Sequence, residues 1–390
     1  MSRKKLNLAI LGSATLPIPP FNGYGGTQRG IYDLISHLNG KGHEIHLFGP
    51  GDSDVKNLEN IILHAPVKNS IWIPENKLPV EIKTKEEKRH YEESIDLLKK
   101  IDLEKKLDVI NIRTDNSETI KKVVENFGKE RIIYSLHNVK NLERVELIKE
   151  LGVQCIAHCR NHRKEYKDLQ NISTIIYGVN VENYPYSGKT LMQTEEKPKL
   201  DLLKKLKKLK KDYLINIGGI GKHKGQKTCI RLALETNNNL IIAGEPQDRK
   251  KDDNGRYFQE NIIPKVDNNQ IFYFGNANEE EKKELLRYSK GFLFPSGFED
   301  TTWSEPFGRA PVEALSCGTP VIAFRKGSTS EIIFNGFNGY LFDSIEEAKE
   351  KINSLDNISR NDCRRTAFKK FNSKRVADEY EKIFYETIKK

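Results

Sequence analysis

The sequence predicts an α/β protein made of two doubly wound parallel sheets. Three observations carry that expectation. Short apolar runs alternate with amphipathic helical patterns along the chain, as parallel strands covered on both faces require. The alternation breaks once, over the polar stretch Tyr184–Lys199 with its two prolines, and then restarts. The length, 390 residues, is long for one hydrophobic core and comfortable for two. The boundary is therefore set near residue 185, with 1–184 as the first domain and 185–372 as the second.

Each element has its own signal. Leu6–Leu11 is an apolar run ending at Gly12, and is the first strand. Further strands are expected at Glu44–Phe48, Asn60–His64, Val109–Ile112, Ile132–Leu136, Gln154–Ala157 and Ser173–Tyr177. Helical periodicity separates them at Thr27–Asn39, Lys85–Lys105, Ser117–Asn126 and Asn161–Leu169. After the break, strands are expected at Tyr213–Ile217, Leu240–Ala243, Gln270–Phe274, Gly291–Phe294 and Pro320–Phe324. The intervening helices are Gln226–Glu235, Glu279–Ser289 and Pro306–Ser316, and Ser344–Ser354 and Asn357–Phe371 follow. Gly327-Ser-Thr-Ser-Glu331 reads as a capped helix start of structural purpose. From Ser373 a last helix holds Val376, Tyr380, Ile383, Phe384 and Ile388 at core spacing.

The charge balance, 65 basic against 55 acidic residues, favours anionic partners. No interleaved aromatic and basic surface points to nucleic acid, so none is expected. Lys197–Lys211 reads as a helix with Leu202, Leu206 and Leu209 on one face and lysines over the rest. It could lie on an anionic membrane surface, or pack its leucines on the body with a solvated lysine face. No apolar run approaches the roughly 20 residues that span a bilayer. The basic start before Leu6 imitates a signal peptide, but its apolar segment is too short. A cytoplasmic protein, peripheral on the membrane face at most, is expected. Five scattered cysteines give no metal-type cluster. Cys155 and Cys159, with His158 and His162 nearby, read as a strand end followed by a helix start.

The most informative stretch is Ser304–Ala323. Pro306 suits the first position of a helix beginning at Glu305, because it has no N–H to lose there. The amides of Phe307, Gly308 and Arg309 would then point out of the positive end of the helix, a site for a phosphate. Gly308 removes a side chain where a ligand approaches. Glu313 lies two turns on, where a carboxylate can accept hydrogen bonds from a pair of sugar hydroxyls.

This Glu-x7-Glu run resembles the donor-site signature of retaining GT-B glycosyltransferases, most closely glycosyltransferase family four. The resemblance covers nearly the whole length and is strongest from Phe294 to Phe342. It implies two Rossmann-like domains facing across a cleft, with Ser373–Lys390 returning to the first. It implies a nucleotide-diphosphate sugar as donor substrate, a hydroxyl acceptor, and neither cofactor nor metal. Glu305 is implied near the donor sugar and its adjoining phosphate, Gly308–Ala310 at the diphosphate, and Glu313 at the ribose. Gly25-Gly26-Thr-Gln-Arg29, opening a helix after the first strand, looks like the family's first glycine-rich loop. His137, at a strand end, resembles the family histidine near the donor sugar.

The second domain opens with Gly218-Gly219-Ile-Gly-Lys222-His-Lys224-Gly225, similar to the family's strand–loop–Lys-Gly motif. Lys224 matches the lysine that stabilises the departing diphosphate. Gly219 stands where the family usually has arginine, and Lys222 or Arg309 could supply that charge. The departure leaves two alternatives beside the transferase: a non-catalytic nucleotide-sugar-binding partner subunit, and a nucleotide-sugar epimerase of the same fold. The acceptor is not readable. Ser13–Tyr24 and His64–Lys83 are the loops to choose it, where Tyr24 and Trp72 could stack on a sugar or simply pack.

Overall fold

The computed structural model describes residues 4–21, 25–72, 79–138, 140–186, 213–246 and 254–389. The lysine-rich stretch Lys197–Lys211 and the loop residues Gly23 and Tyr24 lie outside them. The chain divides into two compact units. One comprises Met1–Pro20, Gly25–Tyr177 and Ser373–Lys390, the other Phe21–Tyr24 and Gly178–Asn372.

The first unit holds seven strands: β1 (Asn7–Leu11), β2 (Glu44–Phe48), β3 (Ile61–His64), β4 (Val109–Ile112), β5 (Ile132–Ser135), β6 (Gln154–Ala157) and β7 (Ile172–Thr174). Their order is β3-β2-β1-β4-β5-β6-β7, and every pairing is parallel. Strands β1, β4 and β5 are buried along their length, as sequences rich in Leu, Ile and Val without alternation demand. The core gathers Leu98, Ile110, Ile120, Ile132 and Ile148 between sheet and helices. The helix Ser373–Thr387 belongs here, as the resemblance implied. It buries Val376, Ala377, Tyr380 and Phe384. Glu381 takes Lys41 Nζ at 2.7 Å and His43 Nε2 at 2.9 Å, and Tyr380 Oη meets Ser135 Oγ at 3.0 Å.

The second unit holds six parallel strands: β8 (Tyr213–Ile217), β9 (Asn239–Ala243), β10 (Ile271–Gly275), β11 (Gly291–Phe294), β12 (Val321–Phe324) and β13 (Gly339–Phe342), in the order β10-β9-β8-β11-β12-β13. Its core includes Leu214, Leu232, Leu240, Leu293, Ile322 and Phe342. In both sheets the strand order reverses at the first strand of the unit. The reversal lies between β1 and β4, and between β8 and β11. Ligands of such sheets bind at the carboxyl ends of the strands beside that reversal.

Several boundaries differ from expectation. The helix expected from Lys85 begins at Val80, where exposed Val80 and Ile82 give no core periodicity to read. The helix expected over Asn161–Leu169 is Arg160–Glu165, and Cys159 opens it by accepting the His162 amide at 3.1 Å. Strand β7 ends at Thr174, although the Ile175 and Tyr177 amides still bond to Ala157 O and His158 O at 3.0 Å each. Several elements were not expected, among them the helical stretch 254–262, a helix of the first unit and an edge strand of the second. The helix Leu142–Leu151 buries only Val145 and Ile148, and β13 is a four-residue edge strand.

Candidate functional site

The reversal point of the second unit brings two expected residues together. Lys224 sits in the loop after β8, in the 3-10 turn Lys222–Lys224. Glu305 sits in the loop after β11. Lys224 Nζ stands 2.6 Å from Glu305 Oε2. Ser296 Oγ donates to the same oxygen at 3.0 Å, and Trp303 Nε1 lies 3.4 Å from it and 3.2 Å from Ser296 Oγ. The Lys224 ammonium also lies over the Trp303 ring, 4.9 Å from its centroid, and the His223 ring packs against the same indole with centroids 4.4 Å apart. Burial pushes the Glu305 carboxyl up, but Lys224, Ser296 and Trp303 outweigh it and hold the group below its ordinary 4.5. Ser296 and Trp303 escaped the sequence reading. Their signals were adjacency, Ser296 directly after the Phe294-Pro295 strand end and Trp303 two residues before Glu305.

The helix that follows runs over Arg309–Ser316, not from Pro306. Pro306 and Phe307 lie in a bend, so the helix start expected at Glu305 is corrected by one turn. The physical cause is Gly308, which takes φ 76° and ψ 81°, a left-handed conformation that no helix continues. Pro311, third in the helix, supplies the first-turn proline instead, at a position whose N–H the helix ladder does not use. The amides outside the ladder are thus those of Gly308, Arg309 and Ala310, and Phe307 no longer belongs with them. The loop is tied down from a neighbouring turn: the Ser328 amide donates to Glu305 O at 3.3 Å, and Ser328 Oγ donates to Phe307 O. Ser328 therefore braces this loop rather than capping its own helix with its side chain, as its sequence suggested.

Glu313 is 5% exposed. Its Oε2 lies 3.0 Å from Lys282 Nζ, and its Oε1 lies 3.7 Å from Arg309 Nε. Lys282, 1% exposed, also stands 2.7 Å from Glu279. Nothing in the sequence separated this lysine from the others of the Glu279–Tyr288 helix. Its partner sits on a different element.

Gly219 is buried, and its carbonyl accepts from Gln226 Nε2 at 3.1 Å. The same side chain reaches Asn216 Oδ1 at 3.3 Å and accepts the Gly221 amide at 3.2 Å, knitting the loop together. Of the two cations considered for the missing arginine, Lys222 is exposed, while Arg309 Nη1 donates to Gly178 O at 3.0 Å.

In the first unit, Gly25 precedes the helix Gly26–Gly40 directly after the β1 loop, with its carbonyl accepting the Arg29 amide at 3.0 Å. His137 follows β5 and meets His158, which follows β6: His158 Nε2 and His137 Nδ1 are 3.1 Å apart. The Tyr177 ring lies 4.5 Å from that of His158. Arg113, after β4, places Nη1 3.5 Å from Tyr177 Oη and its guanidinium 4.8 Å over the Tyr380 ring. Tyr177 reaches this position because residue 30 is glycine, where a Cβ would stand 1.6 Å from the Tyr177 hydroxyl. Trp72 packs beside Ala14, Val67 and Ile71, with Lys83 Nζ 4.5 Å over its ring.

All five cysteines are free and buried. Among the described residues no group of three or more His, Cys, Asp or Glu is arranged to hold a metal ion, and no helix is long and apolar enough to cross a membrane.

Residues 199–373 match the family described as "Glycosyl transferases group 1". That stretch, all but Ser373, lies within the second unit and is similar to the group 1 glycosyl transferases. An uncharacterized glycosyltransferase of Methanocaldococcus jannaschii is 33% identical over 109 residues, covering 27% of this chain and 29% of that protein. The chain thus matches less than a third of the length of this curated relative. Among solved structures, sucrose-phosphate synthase from Thermosynechococcus elongatus superposes with a TM-score of 0.76 at 13% identity, over 98% of this chain and 99% of that one. The Anabaena protein HepE, solved in complex with UDP-glucose, gives 0.70 at 15% identity over 98% and 100%. At such identities the likeness establishes the fold, and the unit matched by the family is one of the two Rossmann-like units of a GT-B chain.

Proposed function

We propose that this protein is a retaining glycosyltransferase that moves a sugar from a nucleotide-diphosphate sugar to a hydroxyl acceptor. The observation that carries the proposal is the Lys224–Glu305 pair, 2.6 Å apart on the two loops beside the strand-order reversal and just ahead of the Arg309–Ser316 helix. A diphosphate at that helix start would meet the Gly308, Arg309 and Ala310 amides at the positive end of the dipole. Lys224 would then be shared between Glu305 and the phosphate oxygens, where negative charge grows as the glycosidic bond breaks. The amides and Lys224 thereby do the work that a metal ion does in other sugar transferases.

Glu313, placed beside Lys282 and Arg309, is the carboxylate that would accept from the ribose hydroxyls. His137 is the residue proposed for the sugar hydroxyls, on the family resemblance. In this reading attack and departure occur on one face of the sugar, a donor phosphate oxygen takes the acceptor proton, and no protein nucleophile is needed. The names of the similar proteins support a sugar-transfer role, and a UDP-sugar is the first donor to try because HepE was solved with one.

One observation favours a second reading, a nucleotide-sugar-binding partner without turnover. Gly219 carries no side chain where the family has arginine, and Arg309 is engaged with Gly178 O and Glu313. A screen of UDP-, GDP- and ADP-sugars for binding and hydrolysis, with NMR of the released sugar, separates the two. Release of an α-configured sugar from an α-configured donor supports retention. Binding without release, with acceptors present, favours the partner. An inverted product or no binding at all overturns the proposal.

A further inference from the structure

Three donors converge on one oxygen of the Glu305 carboxylate. Lys224 Nζ, Ser296 Oγ and Trp303 Nε1 lie 2.6, 3.0 and 3.4 Å from Oε2, and no hydrogen-bond donor among the described residues reaches Oε1. Chemistry fixes the direction of each bond. An indole N–H can only donate, and an ionised carboxylate can only accept. The Trp303 N–H is therefore shared between Ser296 Oγ, at 3.2 Å, and Glu305 Oε2. The Ser296 hydroxyl keeps its own proton to give, and the charged Oε2 at 3.0 Å is a better acceptor than His223 O at 3.3 Å.

Trp303 holds the other member of the pair as well. The Lys224 ammonium lies 4.9 Å from the centroid of its ring, inside the range of cation–π attraction. One side chain thus meets the acid with its N–H edge and the base with its face. The turn that carries it is tied at several points. The Gly297 amide donates to His223 O at 2.9 Å, the Trp303 amide to Asp300 O at 3.2 Å, and Lys326 Nζ to Thr301 O at 2.5 Å. Asp300 Oδ1 takes both the amide and the hydroxyl of Thr302, at 3.1 and 2.7 Å. Gly297 holds φ 83°, and a Cβ there would stand 2.9 Å from Trp303 O, so glycine is what lets the turn bring the indole back over the end of β11. All of these residues belong to the second unit.

A lysine shared between Glu305 and a departing diphosphate is drawn from the carboxylate while charge builds on the phosphates. A carboxylate held by that lysine alone would follow it or take up a proton, since burial pushes the Glu305 carboxyl up. The geometry points to Trp303 as a positioning residue. With Ser296 as its relay, it keeps Glu305 Oε2 in place while Lys224 serves the diphosphate, and it leaves Oε1 for the ligand. This rests on the reading of Lys224 and Glu305 as donor-site residues and adds the side chain that couples them. The indole face keeps its hold on the ammonium from below, so the cation is steered without being neutralised.

The test uses full-length protein labelled with 15N-tryptophan. The chain has two tryptophans, so two indole N–H signals are expected, and Trp72→Phe assigns them. At constant neutral pH the Trp303 signal should move upfield in Glu305→Gln, which removes the charged acceptor, while the Trp72 signal stays. Trp303→Phe keeps a ring face for Lys224 and loses the N–H. It is expected to lower kcat on UDP-, GDP- or ADP-sugars about tenfold, with donor KM little changed. A Trp303 signal that ignores Glu305→Gln overturns the proposal, as does Trp303→Phe with wild-type kcat or with a loss confined to KM. Should Trp303→Phe fail to fold, Ser296→Ala takes its place, with the same split between kcat and KM expected. The indole shift is read without substrate. A shift that follows Glu305→Gln, with no turnover of any nucleotide sugar, would uphold the clamp on Glu305 while sinking the transferase reading.

Discussion

Lys282 Nζ and Glu313 Oε2 stand 3.0 Å apart with both side chains buried, joining two helices of the second unit. Breaking a buried pair by removing one partner costs about 3–5 kcal/mol, since it strands the other charge. Glu279, 2.7 Å from the same ammonium, places the cost toward the low end. Glu313→Ala is expected to lower the unfolding free energy by about 3 kcal/mol and to weaken nucleotide binding, each lost charged hydrogen bond being worth about 1.5–3 kcal/mol. Urea unfolding and calorimetric nucleotide titration check the two separately. A folded Glu313→Ala with unaltered nucleotide affinity refutes the ribose role.

Lys224→Ala should lower turnover more than donor affinity, because the ammonium is asked to stabilise charge that appears only as the diphosphate leaves. Steady-state kinetics beside direct donor binding make the comparison. Equal losses in kcat and affinity would reduce Lys224 to a binding residue.

The same pair sets a pH dependence. Glu305 has a depressed pKa in the folded chain, so its contribution to stability is in place above the ordinary carboxylate value and is lost as pH falls through the lowered one. In Lys224→Met only Ser296 and Trp303 are left to oppose the burial of Glu305, and its pKa rises. The stability gap between wild type and Lys224→Met should be widest near neutral pH and close as pH drops below 4.5. A gap of constant size across urea titrations at neutral and acid pH would contradict the assignment.

Gly308→Ala asks a side chain to hold φ 76°, and its Cβ would stand 3.3 Å from both Glu305 Cγ and Phe294 Cζ. The left-handed conformation alone costs about 1–2 kcal/mol for an L-residue. A lower Tm and weaker donor binding are expected together, since the strain falls where the helix amides are aimed. Thermal unfolding with and without nucleotide reads both.

Native protein should resist thiol reagents. Burial pushes the thiols of Cys155, Cys317 and Cys363 up to about 12, and Cys229 and Cys159 are equally enclosed. A colorimetric thiol titration should find almost no fast-reacting group in native protein and five after denaturation. Even one rapid native thiol would show an opening that this fold does not contain.

The legible parts of this chain were those whose signal is local. Leu6–Leu11 and Tyr213–Ile217 read as strands because burial on both faces leaves them almost wholly apolar, Asn7 and Asn216 aside. Lys224 and Glu305 read as site residues because each follows a strand end in a recognisable run. What escaped was set by distant partners. The helix Leu142–Leu151 turns only two side chains inward, too few for a periodicity. Lys282 looks like any lysine of a charged helix until Glu313 is placed beside it, 31 residues away. Pro306 misled because a proline before a helix is a good N1 residue in general, and only the left-handed Gly308 puts the start three residues later.

The helix Ser373–Thr387 is translated after the whole second unit yet finishes the first. While the ribosome is still making residues 178–372, the early segment has its sheet but lacks Val376, Tyr380 and Phe384 against it, and Lys41 and His43 wait for Glu381. A nascent chain of this protein must therefore hold an unfinished apolar face in water, or under a chaperone, until that helix has been translated. A premature stop before Ser373 would damage the unit that was synthesised first.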